Sequence, residues 1–222
     1  MDLLETLEVC GSQAPDSSVI WLHGLGADGH DFETVVEELR LPSVRFILPH
    51  APYRPVTLNN GYSMRAWFDL YGLEAGSPQD ESGIRIAQGQ IEALIERERQ
   101  RGIAANRIIL AGFSQGGAVA LHTALRHNEQ LGGVLGLSTY LPLKSALATE
   151  IHSLSQDLPI FIAHGAFDNV ISLQLAKASA DFLRQHGYQI EWHEYAMAHS
   201  VCLEEISDIR GFIYRALKRL TA

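Results

Sequence analysis

The segment Arg107-Ile-Ile-Leu-Ala-Gly-Phe-Ser-Gln-Gly-Gly-Ala-Val-Ala-Leu121 restricts the fold more than any other stretch of this chain. Its first half is a continuous apolar run, the pattern of a strand covered on both faces, and its second half reads as an alanine-rich helix. Between them lies Gly112-Phe-Ser114-Gln-Gly116, so strand must give way to helix within a few residues. A turn that tight strains the backbone at its apex and admits only small residues two places before and two places after it. Ser114 is thereby lifted above the end of a sheet, with a helix N-terminus aimed at it.

The rest of the chain repeats this grammar. Strands are expected near Val19–His23, Val44–Leu48, Arg107–Phe113, Gly133–Leu137, Ile160–His164 and Gln189–Tyr195. A further strand at Glu5–Cys10 is expected to form a hairpin with Val19–His23. Between the strands, apolar residues recur at helical spacing. Phe32, Val35, Val36 and Leu39 form one stripe, with Asp31 as the expected N-cap. Ile84, Ala87, Ile91, Leu94 and Ile95 form a second, ending at Gly102. Leu175, Ser179, Phe182 and Leu183 run to Gly187, and Ile206, Ile209, Ile213, Leu217 and Leu220 make a closing helix. Strands alternating with helices imply a mostly parallel twisted sheet with helices on both faces, the α/β-hydrolase architecture once the turn at Ser114 is included. His50 to Gln79 and Ser138 to Leu158 break the rhythm as long loops, and loops of that length in a compact domain usually serve function. No linker composition or repeat intervenes, so residues 1–222 are read as one domain without a separate cap.

The formal net charge of −9, with no dense run among the 17 Lys and Arg residues, argues against a nucleic-acid partner. The N-terminus lacks the basic and apolar regions of a secretory signal, and no run approaches the roughly 18 apolar residues of a membrane span. The cytosol is the expected compartment, with Cys10 and Cys202 as reduced, buried thiols.

A serine on such a turn is a nucleophile only with a base and an acid, which in this architecture follow it in the order acid, then histidine. Asp168 lies just past the strand Ile160–His164, whereas Asp157 precedes that strand and Asp181 belongs to a helix face. Among the histidines beyond Ser114, His122 and His127 lie on a helix, His164 ends a strand, His186 ends a helix and His193 is inside a strand. His199 alone occupies a loop between the last strand and the final helix, at the same edge as Ser114 and Asp168. In a triad of this kind Asp168 orients the imidazole, His199 takes the serine proton, and Ser114 attacks an acyl carbon. Backbone N–H groups of Leu25, in Leu22-His-Gly-Leu-Gly26, and of Gln115 are expected to meet the oxyanion.

The same loop offers a competing chemistry. Gly24-x-Gly26-x-x-Gly29 matches a dinucleotide fingerprint, which would make the chain a Rossmann oxidoreductase. That reading needs an acid at the end of the second strand, and Val44-Arg-Phe-Ile-Leu-Pro-His50 has none. No zinc-type spacing occurs among the histidines and cysteines, so neither metal nor cofactor is expected. A binding protein of the same shape without turnover is the third alternative.

In combination, several motifs resemble the phospholipase/carboxylesterase family, which includes carboxylesterases and acyl-protein thioesterases. They are Leu22-His-Gly-Leu-Gly-Ala-Asp-Gly29, Leu48-Pro-His-Ala-Pro52, Pro55-Val-Thr-Leu-Asn-Asn-Gly-Tyr62 and Met64-Arg-Ala-Trp-Phe-Asp69. They continue through Gly112-Phe-Ser-Gln-Gly-Gly117, Leu137-Ser-Thr-Tyr-Leu-Pro142, His164-Gly-x-x-Asp168 and Met197-Ala-His-Ser200, so the likeness runs from about Val19 to Leu220. It implies a serine hydrolase needing no cofactor, acting through an acyl-enzyme on small acyl esters, lysophospholipids or S-acylated proteins. The triad would be Ser114, Asp168 and His199 and the oxyanion loop Leu25 with Gln115; a homodimer is left open. Two positions depart from the family pattern: Ala198 stands for a common Gly, and Ile171-Ser172 for a common Val-Pro. Trp67, Leu70, Leu73 and Tyr140, with Leu25, are expected to wall an apolar acyl groove; ordinary core packing is their alternative.

Overall fold

The computed structural model of the chain describes residues 3–74 and 76–218. Seven strands form one sheet in the order β1-β3-β2-β6-β7-β8-β9. They are β1 (Thr6–Cys10), β2 (Ser17–Leu22), β3 (Val44–Pro49), β6 (Ile108–Phe113), β7 (Gly133–Leu137), β8 (Ile160–Gly165) and β9 (Ile190–Tyr195). All neighbours run parallel except β1, which is antiparallel to β3.

That pairing corrects the expected hairpin between Glu5–Cys10 and Val19–His23. Strand β2 is buried along its whole length and is flanked by β3 and β6, so neither of its edges is free. The open edge belongs to β3, and β1 covers it with Leu7 opposite Leu48 and Val9 opposite Phe46. The chain after β1 therefore carries β2 past β3 instead of folding straight back.

Because the inner strands are buried on both faces, successive side chains feed two cores. Val19, Trp21, Phe46 and Ile109 pack with Phe32 and Val36 and with Ile209, Phe212 and Ile213, so helices α1 (Glu33–Glu38) and α6 (Leu203–Lys218) cover that face. Ile20, Leu22, Ile108 and Leu110 pack with Ile84, Ile91 and Leu94 of α2 (Glu81–Gln100) and Val119 and Leu121 of α3 (Gln115–Arg126). Leu147 of α4 (Lys144–Glu150) and Ala180 and Leu183 of α5 (Leu173–Gln185) complete it. The stripe expected for α2 is the buried one, and Gly102 ends that helix at φ +92°. Helix α1 is shorter than its stripe suggests: residues Gly29–Phe32 form a 3₁₀ turn capped by Asp28, not Asp31, whose carboxylate accepts from His30 N–H. Leu220, expected on the closing helix, lies outside the described residues.

The segment His50–Gln79 holds a second, two-stranded sheet, β4 (Tyr53–Val56) with β5 (Tyr62–Arg65). Asp69 ties it down by accepting from Thr57 N–H at 2.7 Å and Thr57 Oγ1–H at 2.6 Å. Asp80, the N-cap of α2, accepts from Asp69 N–H at 2.8 Å and from Gly83 N–H at 2.9 Å. Cys10 is exposed and Cys202 half-buried, both free, which corrects the expectation of two buried thiols. Among the described residues no helix is long and apolar enough to cross a membrane.

Candidate active site

Parallel strands end on the same rim, and the loops after β2, β6, β8 and β9 meet there. Ser114, at the end of β6, adopts φ 54° and ψ −120°. A side chain at Gly112 would strike the backbone of Gly116, and one at Gly116 would strike the carbonyls of Leu22 and His23. Both glycines are thus sterically obligatory, as the tight turn requires. Ser114 N–H donates to Leu137 O at 2.9 Å, and Thr139 Oγ1–H to Ser114 O at 2.6 Å, so the strained residue is held from both sides.

The three separated residues come together. His199 Nε2 lies 3.0 Å from Ser114 Oγ, and His199 Nδ1 lies 2.7 Å from Asp168 Oδ2. The Asp168 side chain is fully buried, and its Oδ1 accepts from Val170 N–H at 2.8 Å and Ile171 N–H at 2.9 Å. Because Nδ1 faces a carboxylate, it carries the ring proton, which leaves Nε2 as the acceptor toward the serine hydroxyl. The loops carrying acid and base interlock: Ala166 N–H donates to Tyr195 O at 2.8 Å and Phe167 N–H to Met197 O at 3.0 Å. Gly165 lets them meet, since a side chain there would strike the carbonyl of Ala198.

The two departures from the family pattern are harmless here. Ala198 has no positive φ and its side chain is exposed, so glycine is not required. Ser172 replaces proline by capping α5, its hydroxyl accepting from Leu175 N–H at 3.3 Å.

The loop after β2 is pinned at several points around Leu25. His23, fully buried, donates from Nδ1–H to Gly24 O at 2.7 Å and accepts at Nε2 from Ala51 N–H at 3.0 Å. Burial holds its imidazole below the usual histidine range, so the ring stays neutral, as the accepting Nε2 requires. Trp67 Nε1–H donates to His23 O at 2.8 Å, and Gly26 N–H to Arg65 O at 2.8 Å. The Gln115 carboxamide accepts from Trp67 N–H at 2.9 Å and donates to Phe68 O at 2.8 Å. Its backbone amide opens α3, where no intrahelical acceptor exists. This loop leads into a 3₁₀ turn and not onto the long helix that a dinucleotide fingerprint needs, so the geometry does not favour the oxidoreductase reading.

An open cavity of about 600 Å³ adjoins Ser114 and His199. Leu25, Leu58, Leu70, Leu73, Tyr140 and Ile171 contribute to its mostly apolar walls, and Gln115 borders it. Leu25, Leu70, Leu73 and Tyr140 thus stand where an acyl groove was expected. Trp67 does not. Its side chain is fully buried in the core, so its expected place in the groove is corrected to that of a strut behind the loop after β2. Phe113, its ring tilted against that of His199 with centroids 4.7 Å apart, and the anchors His23 and Arg65 lie in the motifs quoted above, but their contacts have no signature in the sequence. Their roles depend on contacts between segments far apart along the chain.

The fold and this rim define the chain as an α/β-hydrolase. The phospholipase/carboxylesterase family model matches residues 6–217. The chain belongs to that family, and it is an enzyme of the carboxylesterase/thioesterase class. It is 40% identical to acyl-protein thioesterase 1 of Yarrowia lipolytica over 213 residues, covering 92% of this chain and 94% of that one. It is 38% identical to acyl-protein thioesterase 1 of Neurospora crassa, covering 92% and 88%. Among solved structures, Arabidopsis thaliana SOBER1 superposes with a TM-score of 0.87 at 32% identity, covering 90% of this chain and 99% of that one. Zea mays acyl-protein thioesterase 2 gives 0.87 at 27% identity, covering 96% and 99%.

Proposed function

We propose that the protein hydrolyses carboxylic esters and thioesters of apolar acyl groups by way of a Ser114 acyl-enzyme. The supporting observation is the contact chain from Ser114 Oγ through His199 to the buried Asp168, beside a cavity with apolar walls. Ser114 Oγ attacks the acyl carbon while its proton passes to His199 Nε2. Asp168 holds the imidazole in the correct tautomer and stabilises its cation. The backbone N–H groups of Leu25 and Gln115 receive the oxyanion, where loss of one such donor typically costs roughly 10²–10³ in turnover. The imidazolium returns its proton to the departing alcohol or thiol as the tetrahedral species collapses. Water then repeats the sequence with the acyl-enzyme and frees the acid. Leu25, Leu70, Leu73 and Tyr140 would face the acyl chain. The sheet, with a core built on each face, supports reading the chain as one domain.

The relatives named acyl-protein thioesterases make an S-acylated cysteine the favoured substrate, its thiol the leaving group, with lysophospholipids and small esters as substrates of the same site. A soluble or cytosolic setting suits this reading. A fluorophosphonate label tests the nucleophile, and a series of esters and thioesters of increasing chain length tests the substrate. Label on Ser114, and a drop of roughly 10⁵–10⁶ in turnover for Ser114→Ala, are the expected results. Undiminished hydrolysis by that variant would overturn the assignment.

A further inference from the structure

We propose that His164 is a positioning residue for the acid of this site, clamping the Asp168–Ile171 turn from inside the sheet. The proposal rests on the triad reading above. His164 lies on β8, its side chain wholly buried. Its Nε2 sits 2.8 Å from the carbonyl oxygen of Ile171 and 3.4 Å from Asp168 Oδ2. A carbonyl can only accept, so Nε2 carries the ring proton and donates it to Ile171 O, with Asp168 Oδ2 close beside that bond.

The turn is thereby gripped at both faces of one peptide residue. Ile171 gives its N–H to Asp168 Oδ1 at 2.9 Å and its C=O to His164. Asp168 Oδ2, which takes the N–H of His199, also lies 3.4 Å from His164 Nε2 on β8, beyond hydrogen-bond geometry but within reach of its N–H dipole. For a carboxylate completely withdrawn from water, an N–H dipole placed this close supplements the hydrogen bonds from Val170 N–H, Ile171 N–H and His199.

The other ring nitrogen identifies this as more than packing. His164 Nδ1 is buried without a hydrogen-bond partner. A leucine of similar size would fill the space without stranding a polar atom, and replacing polar groups by apolar ones of the same shape is often neutral for stability. The polar capacity that the ring does use is its Nε2–H. Burial also pushes the imidazole below the usual histidine range, so the ring remains neutral and does not place a second cation beside His199.

The test compares His164→Gln, whose side-chain nitrogen reaches the place of Nε2, with His164→Leu, which removes the donor. His164→Leu is expected to lower kcat by about 10- to 100-fold with KM within about twofold, as a small misplacement of the acid would. Its rising pH limb should move upward, because Oδ2 without the His164 N–H dipole beside it holds the imidazolium more strongly. His164→Gln should restore both kcat and the limb. Nitrogen-15 spectra of the histidine-labelled wild type should give a His164 ring protonated at Nε2 and unchanged between pH 5.5 and 8.5, about the range of histidine titration. A ring that titrates in that range or is protonated at Nδ1, a His164→Leu enzyme with wild-type kcat and limb, or a His164→Gln enzyme as impaired as His164→Leu would each overturn the proposal. If His164→Leu fails to fold, the spectra and the His164→Gln profile decide. Fluorophosphonate labelling of wild-type Ser114 runs alongside: its failure would sink the hydrolase reading, whereas the spectra report on His164 without turnover.

Discussion

Single side chains in this protein carry structural duties that their types do not announce. Trp67 is aromatic, lies in a long loop and reads as a wall for an apolar ligand, yet its indole N–H is spent on the His23 carbonyl. Trp67→Phe keeps the bulk and removes that donor. It is expected to cost about 1 kcal/mol of stability, read as a lower melting temperature, and about tenfold in kcat as the oxyanion loop loosens. A variant with unchanged kcat would show that the loop holds its shape without the indole. Gly116→Ala should be harsher, since its new methyl group meets the Leu22 and His23 carbonyls. A loss of roughly 1–3 kcal/mol is expected from the overpacking alone, with fluorophosphonate labelling of Ser114 abolished because the turn must open. The residues legible in the sequence, Ser114, Asp168 and His199, are those whose position in strand–loop order fixes their edge of the sheet. The illegible ones, Trp67, His23 and His164, act through partners that only folding supplies.

Among the secondary-structure elements, those with strong periodicity were predictable. The buried stripe of α2 was visible because five residues repeat at helical spacing and Gly102 stops the helix. Strand β1 lies where the sequence places it, but its partner is illegible to hairpin logic, which weighs only neighbours in sequence, whereas edge availability is set by β6, far along the chain. Helix α6 carries a further signature. Glu205, in its first turn, is wholly buried with neither carboxyl oxygen hydrogen-bonded. Burial pushes its carboxyl up from 4.5 to about 8, with the Cys202 backbone pulling the other way and the Asp208 charge adding to the rise. A carboxyl raised in the folded state supports stability fully below the unfolded value and loses that support as pH rises through the folded one. The melting temperature should therefore fall from about pH 5 to about pH 8, and Glu205→Gln, neutral throughout, should flatten the decline. Parallel melting curves for wild type and variant would contradict this.

Across the whole molecule, the rim and the cavity divide labour between parts of the fold. Ser114, Asp168 and His199 sit on loops leaving β6, β8 and the edge strand β9, while Leu58, Leu70 and Leu73 come from the segment that Asp69 and Asp80 tie down. Leu73→Trp should shorten the space for acyl chains. The ratio of kcat/KM for long over short chains is expected to fall about tenfold or more, while labelling of Ser114 is unaffected. Equal losses for all chain lengths would place Leu73 away from the acyl path.

The interlock of the two loops at Gly165 has its own consequence. Since the Asp168 turn hangs on the Tyr195 and Met197 carbonyls, a shift in either loop drags the other with it. Acid and imidazole then travel as a couple, and drift in the last third of the chain alters where that couple stands over the hydroxyl sooner than it parts one from the other. On the proposed function, Leu58, Leu70 and Leu73 would let acyl preference change on a stretch of chain apart from that couple, although Leu25, Tyr140 and Ile171 share the cavity wall.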